Sequence, residues 1–258
     1  MIGPLAYIGG KNRFARRIID RFPEHTTYVE PFAGGAQVFF HKQPSEVEVL
    51  NDLDGEIVNF FRVCQWHHEE LIRLLRFTLA SRTLYKIAAN ANPDTLTDIQ
   101  RAARFFYLQK NSFGGLVVRR SYHFSVTKTS NYNPERLSDQ LERVHQRLAK
   151  VQIECLPYER VLEAYDRPTT LFYLDPPYWG RKLYRFNFED ADFGALAERL
   201  RQIKGKCILS LNDAPQVRST FKDFRIHAFL GAYSAQKKAG GRYGELLIQN
   251  FASSPVSS

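Results

Sequence analysis

The chain has 258 residues, 44% of them hydrophobic, which suits one large domain or one domain with a sizeable insertion and excludes general disorder. No apolar run approaches the roughly 20 residues that cross a bilayer, and Met1-Ile2-Gly3-Pro4 lacks a basic-then-apolar secretory start, so neither a membrane partner nor export is expected. The formal net charge is +9, and between Arg101 and Lys150 ten Lys/Arg face only Glu135, Asp139 and Glu142, a clustering that favours a nucleic-acid surface over diffuse solubilisation.

Taken in chain order, Arg13 to Phe22 reads as a helix with Phe14, Ile18, Ile19 and Phe22 on one face. Thr27 to Glu30 reads as a short strand entering the turn Pro31-Phe32-Ala33-Gly34-Gly35, and Ala36 to His41 opens a helix. A second strand, Val47 to Leu50, ends at Asn51-Asp52. Glu56 to Arg76, Asp98 to Asn111 and Pro134 to Lys150 read as helices, the last with Asn133 as N-cap and Pro134 in the first helical position. Ser112 to Tyr132, rich in Gly, Ser, Thr, Arg and aromatics, reads as loops or a hairpin. Strands return at Val151–Cys155, Thr170–Leu174 and Lys206–Leu211, with a helix from Ala191 to Ile203 and a last strand from Glu245 to Phe251. Strands alternating with helices predict an α/β fold with a parallel sheet covered on both faces. The helical middle breaks that alternation, so residues 55–148 are expected to form a basic domain inserted into a domain made of 1–54 and 149–258. Cys64, Cys155 and Cys207 are odd in number, widely spaced and set among apolar residues, which predicts reduced core thiols, no zinc and a reducing cytoplasm.

Ligands of open α/β sheets bind beyond the carboxyl ends of the strands, and three segments fall at such ends. Glu30 to Gly35 is a strand, a glycine turn and a helix; glycines let backbone approach a ligand, although many such turns carry them for steric reasons alone. Asp52 at the end of the next strand either binds ribose hydroxyls or caps the following helix. The turn lacks GxGxxG and a Walker lysine, so it fits a nucleoside better than a dinucleotide or ATP. The third segment feeds an apolar strand into Asp175-Pro176-Pro177-Tyr178. The prolines offer carbonyl acceptors and no N–H donors. Acceptors without donors are what an aromatic amino group needs: its lone pair is delocalised into the ring, and the Asp175 carboxylate with the Pro176 carbonyl can bind its hydrogens as nitrogen attacks. Tyr178 can stack on the base.

These segments resemble the Dam-type family of DNA adenine methyltransferases. The likeness runs from Tyr7-Ile8-Gly9-Gly10-Lys11 through Glu30–Gly35, Asn51-Asp52 and Asp175–Tyr178 to Gly244-Glu245-Leu246-Leu247-Ile248, in the family's order. It implies a Rossmann-like S-adenosylmethionine-dependent methyltransferase fold with an inserted, mostly helical target-recognition domain. The implied reaction transfers a methyl group from S-adenosylmethionine to the N6 amino group of a flipped-out adenine in double-stranded DNA, leaving S-adenosylhomocysteine and requiring no metal. Tyr7, Lys11, Phe32, Ala33, Gly34, Gly35, Asp52 and Asp175 are implied to contact the cofactor, Lys11 through its methionine carboxylate, and Leu156 and Tyr158 to cover its adenine. Asp175, Pro176, Pro177 and Tyr178 are implied to bind the target base. Within the insertion, Asn111 to Leu116 resembles the loop that enters DNA, making Ser112, Phe113 and Leu116 candidate contacts. GATC-recognising relatives carry a guanine-reading arginine two residues beyond the matching leucine; here that position is Val118, and Arg119 and Arg120 lie next to it. Lys128, Arg181, Lys182, Lys237 and Lys238 complete the expected DNA surface. A monomer with no obligate protein partner is expected. Transfer to cytosine or to a protein glutamine, and a silent DNA-binding protein, are the competing readings; Asp175 at the head of its segment, the basic insertion and the intact Asp52 and Tyr178 disfavour them.

Overall fold

The computed structural model describes residues 1–5, 7, 9–112, 118, 121–122, 132–231 and 243–252. Its strands are β1 (Thr27–Glu30), β2 (Val47–Asn51), β3 (Gln152–Glu154), β4 (Thr170–Leu174), β5 (Lys206–Asn212), β6 (Arg225–Gly231) and β7 (Tyr243–Gln249). They form one sheet in the order β3-β2-β1-β4-β5-β7-β6. Pairs from β3 to β5 are parallel, and β7 is antiparallel to both β5 and β6. This is a Rossmann-like open α/β architecture, and the parallel sheet expected from the sequence gives way at β7, which runs antiparallel. Antiparallel partners need no crossover helix, so β7 can return directly from β6 and fill the gap beside β5.

Side chains alternate across the sheet with period two. Tyr28, Leu50, Leu171, Tyr173, Ile208 and Leu247 enter one hydrophobic cluster. Val29, Val49, Phe172, Leu174, Leu209, Leu246 and Ile248 enter the other. The first cluster also takes in buried residues of α1 (Ala15–Ile19), α2 (Gln37–His41), α3 (Gly55–Trp66), α4 (His68–Arg76), α5 (Arg82–Asn90), α6 (Asp98–Asn111) and α7 (Pro134–Leu148). The second takes in those of α8 (Tyr158–Tyr165), α9 (Asp190–Gln202) and α10 (Pro215–Thr220). Helices α3 to α7 lie between β2 and β3 in sequence, where the insertion is expected, and they share a cluster with the sheet rather than a separate core. Among the described residues, no helix is long and apolar enough to cross a membrane.

Local chemistry explains the helix ends. Asn133 Oδ1 accepts the Glu135 N–H at 3.0 Å with Pro134 beginning α7, as the sequence predicts. A capping box of Thr97 and Gln100 starts α6. The helix expected over 13–22 is only five residues long: past Ile19 the Arg21 and Phe22 N–H groups turn back to the carbonyls three residues earlier, in tighter turns; Phe14 and Phe22 still pack on the core from the flanking turns. The single helix expected over 56–76 breaks at His67 (φ −137°, ψ 32°), which ends α3 and starts α4 with no Gly or Pro to announce it. Cys64 and Cys207 are buried thiols, whereas Cys155 is exposed, since it leaves the edge strand β3.

An ionic tie adds to the packing that joins α7 to the sheet. Glu48 on β2 receives Lys42 Nζ at 2.5 Å and both terminal nitrogens of Arg147, at 2.5 and 2.8 Å. Arg147 also donates to the Phe39 carbonyl, and all three side chains are largely buried.

Candidate active site

The chain runs outward from β1 to β2 and β3, then restarts on the other side of β1 with β4, so the strand order reverses between β1 and β4. A crevice opens at such a switch point, beyond the carboxyl ends of the strands. A cavity of about 560 Å³ lies there, within the usual range for small-molecule sites. Its wall is built from Tyr7, Lys11, the turn from Glu30 to Val38, residues 52–54 and 156–159, Asp175, Pro177 and the segment from Tyr184 to Phe188.

One side of the cavity is organised by two consecutive residues at the end of β2. Asn51 Nδ2 donates to the Pro31 and Leu156 carbonyls, at 2.9 and 3.0 Å, and Asn51 Oδ1 accepts the Leu156 N–H at 2.8 Å. One buried amide therefore clamps the loops after β1 and β3. Asp52 Oδ2 accepts the Gly34 N–H and Oδ1 the Asp54 N–H, each at 2.8 Å. The cap of α3 is Asp54, which accepts from Glu56 N, so capping does not account for Asp52. Burial raises the Asp52 carboxyl and the backbone donors only partly offset it, leaving its pKa at about 6. Gly34 has φ +49°, and a Cβ there would come within 3.2 Å of the Tyr7 ring, so the turn needs glycine twice over. Tyr7 itself stacks on Tyr184, with centroids 6.0 Å apart. Phe32, Tyr158 and Phe188 form an aromatic group, with pairwise centroids 5.3 to 5.8 Å apart.

The other side is polar and built on Asp175, directly after the fully buried β4. Lys11, only 3% exposed, donates to Asp175 Oδ1 at 2.6 Å, to the Tyr178 hydroxyl at 2.6 Å and to the Gly9 carbonyl at 3.2 Å. Tyr178 OH donates to Glu245, whose Oε1 also accepts from Ser210 Oγ at 2.6 Å. Burial works against the Lys11 charge, but Asp175 and Glu245 outweigh it and hold its pKa well above the ordinary lysine value. Burial raises the Asp175 carboxyl, Lys11 opposes this and Glu245 adds to it, leaving a pKa of about 6. Glu30, in the cavity wall, accepts from Tyr28 OH at 2.6 Å, and burial lifts its pKa to about 8.

The structure thus gathers Tyr7, Lys11, Phe32, Ala33, Gly34, Gly35, Asp52, Leu156, Tyr158, Asp175 and Pro177 around one cavity. Pro176 is buried and Tyr178 half-buried, both outside its wall. Lys11 is occupied by Asp175, Tyr178 and Gly9, a different set of partners from the cofactor carboxylate that the resemblance implies. On the DNA side, Ser112 is buried, with its hydroxyl donating to the Leu108 carbonyl at 2.6 Å and paired with Tyr85 OH at 2.8 Å. Its hydroxyl serves the end of α6 rather than a DNA surface, which corrects the expectation for that residue. Arg181 is half-buried, and Lys182 is exposed and paired with Glu189 at 2.8 Å. Phe113, Leu116, Arg119, Arg120, Lys128, Lys237 and Lys238 lie outside the described residues. Sequence reasoning gave no role to Glu245, Asn51, Tyr184 or Phe188. A lone carboxylate heading the apolar run Leu246-Leu247-Ile248 was a signal for Glu245; Tyr184 and Phe188 had none. Among the described residues, no group of three or more His, Cys, Asp or Glu is placed to hold a metal ion.

The family model of the D12 class N6 adenine-specific DNA methyltransferases matches residues 7–233. The chain is 27% identical to the type II methyltransferase M1.LlaDCHI of Lactococcus lactis subsp. cremoris, over 95% of this chain and 94% of that protein. It is 26% identical to the type II methyltransferase M.CviBI of Paramecium bursaria Chlorella virus NC1A, over 94% of this chain and 97% of its relative. It is also 26% identical to the DNA N-6-adenine-methyltransferase of Escherichia phage P1, over 92% of this chain and 33% of that longer protein.

Proposed function

Because this chain belongs to the family of D12 class N6 adenine-specific DNA methyltransferases, we propose that its cavity holds S-adenosylmethionine beside a flipped-out adenine of double-stranded DNA. The observation that carries this reading is the placement of Asp175, a carboxylate pinned through one oxygen by a buried lysine at the edge of a nucleoside-sized cavity. With Oδ1 held by Lys11, Oδ2 is the oxygen assigned to the target amino group, together with the Pro176 carbonyl. These acceptors draw the amino hydrogens away from the ring plane and favour a nitrogen able to attack. The cofactor, when bound, supplies a methyl group already activated by its positively charged sulfur.

The residues present fit that cofactor. The aromatic group of Phe32, Tyr158 and Phe188 offers a face for its adenine. Asp52 accepts one backbone N–H on each oxygen and retains further lone pairs for ribose hydroxyls. Tyr7 and the glycine turn close the cavity over the remainder. Extruding the target base costs a few kcal/mol, offset by stacking and hydrogen bonds in the pocket. Incubation with cofactor labelled at the methyl group and a duplex DNA library should place the label on adenine after hydrolysis to nucleosides. Label on cytosine, or on protein, would overturn the reading.

Asp52→Ala is expected to weaken cofactor binding about 10- to 100-fold, the worth of hydrogen bonds to a charged acceptor, with DNA affinity unchanged. Calorimetry decides it: equal cofactor affinity in mutant and wild type would leave Asp52 only a loop tie. Wild-type cofactor affinity should also fall below about pH 6, as the Asp52 carboxylate takes up its proton and stops accepting.

For DNA recognition, the proposed site is GATC, read by Arg119 or Arg120 through a bidentate contact to guanine, with Phe113 and Leu116 entering the duplex. Lys128, Arg181, Lys182, Lys237 and Lys238 are assigned to phosphates. Replacing the base-reading arginine by alanine should cost about 1–3 kcal/mol and relax preference at one base pair, whereas losing a phosphate contact weakens all sequences alike. Methylation rates on GATC and its single-base variants make the comparison. Equal losses on every variant for both arginines would move discrimination elsewhere.

A further inference from the structure

We infer that Glu245 is a positioning residue for methyl transfer, holding Tyr178 and Lys11 in the arrangement that fixes Asp175. The inference rests on the assignment of Asp175 to the target amino group. Glu245 lies on β7 opposite Asn212 of β5, and the alternation of the strand puts it on the same face as Leu247, diagonal to Ser210. It is 9% exposed and heads a run of fully buried aliphatic residues. A carboxylate in such a strand is costly unless its charge and lone pairs are matched. Of the groups that match it, Ser210, Tyr178 and Lys11, the lysine is the one bonded to Asp175, and Tyr178 is bonded to that lysine.

The hydrogens of the cluster can be counted. Lys11 has three, and they meet the Gly9 carbonyl, Asp175 Oδ1 and the Tyr178 oxygen. An ammonium accepts nothing, so the single Tyr178 hydrogen must go elsewhere, and Glu245 stands 2.8 Å away. The Ser210 hydrogen also goes to Glu245. Lys11 Nζ lies 3.4 Å from Glu245 Oε1, so two carboxylates share one cation. Removing Glu245 leaves the Tyr178 and Ser210 hydroxyls without this acceptor and Lys11 with one counter-charge. Tyr178 would then turn, and the lysine that holds Asp175 would lose its second anchor. The negative charge of Glu245 also raises the proton affinity of Asp175, so neutralising it should ease ionisation of Asp175.

The test is single-turnover methyl transfer at saturating cofactor and DNA, from about pH 5 to 8, with both dissociation constants measured separately. Glu245→Ala should slow transfer at neutral pH by about tenfold or more, while both dissociation constants stay within about twofold. Glu245→Gln keeps an acceptor for Tyr178 and can pair its amide with Ser210. It should hold the neutral rate within about threefold and move the acid limb of the profile to lower pH. A wild-type rate in Glu245→Ala would overturn the inference, and so would an unmoved acid limb in Glu245→Gln or losses of equal size in rate and binding. If Glu245→Ala does not fold, the acid limb of Glu245→Gln decides alone. Asp175→Ala run in parallel separates the two levels. An active Asp175→Ala brings down the base-binding assignment itself. An inactive Asp175→Ala beside wild-type Glu245 variants brings down only the role of Glu245.

Discussion

Asp175→Ala is expected to lose methyl transfer by about 10²- to 10³-fold or more, the usual cost of deleting one preorganised polar group aimed at developing charge, while keeping its fold and cofactor affinity. Three features support this. Asp175 follows β4, whose five residues are all buried, so its backbone is held by the centre of the sheet. Its Oδ1 is tied to Lys11 at 2.6 Å, so the carboxylate is oriented before any base arrives. The two prolines after it supply no competing N–H donor. Asp175→Asn should fall nearly as far, because its amide brings donor hydrogens to a place where Lys11 and an amino group both need acceptors. The sign with pH follows from the same requirement. The carboxylate must be ionised to accept, and its pKa sits at about 6, so the wild-type rate should decline as pH falls through that value. Near-normal turnover by folded Asp175→Ala would remove the proposed mechanism.

Glu48→Ala should destabilise the protein by about 3–5 kcal/mol, the range for removing one partner of a buried ion pair. Glu48 joins Lys42 to Arg147, and its loss strands two cations with little access to water. Part of the loss is recovered. Lys42 keeps the Gln43 carbonyl and Ser45 Oγ, both at 2.8 Å, and Arg147 keeps the Phe39 carbonyl and lies 3.7 Å over the Phe39 ring. The lower end of the range is therefore expected. Burial alone would raise the Glu48 carboxyl, but Arg147 and Lys42 outweigh it and hold its pKa below the ordinary 4.5. Its contribution is then present above pH 4.5 and lost as pH falls through the lowered value of the folded state. Urea unfolding checks both points. An unchanged midpoint at neutral pH would mean that α7 is held to the sheet by packing alone.

What could be seen in the sequence was local. The Asp175 segment, the glycine turn and Asp52 each announce themselves within a few residues, as a strand end followed by turn chemistry, and the sheet brings all three to one cavity. Asn133 and Pro134 mark the start of α7 for the same reason. What escaped depends on distant pairing. Lys11 meets Asp175 across 164 residues and Tyr178 meets Glu245 across 67. The second contact exists only because β7 enters antiparallel between β5 and β6. Apolar runs marked β4, β5 and β7 as strands but could not say which strand would lie beside β5. The break at His67 is another case: the apolar pattern continues through Leu71 and Leu75, and tertiary packing sets the bend. Ser112 was named through the likeness of Asn111 to Leu116 to a DNA-entering loop, whereas here its hydroxyl closes the last turn of α6 inside the core.

The most direct test of the account is modified-base sequencing of DNA from a methylation-free host that expresses this chain, beside DNA from the same host expressing Asp175→Ala. The account predicts N6-methyladenine at one short sequence context, with GATC the proposed site, and none above background in the Asp175→Ala sample. Methylcytosine in place of methyladenine, or equal adenine methylation in both samples, would contradict it.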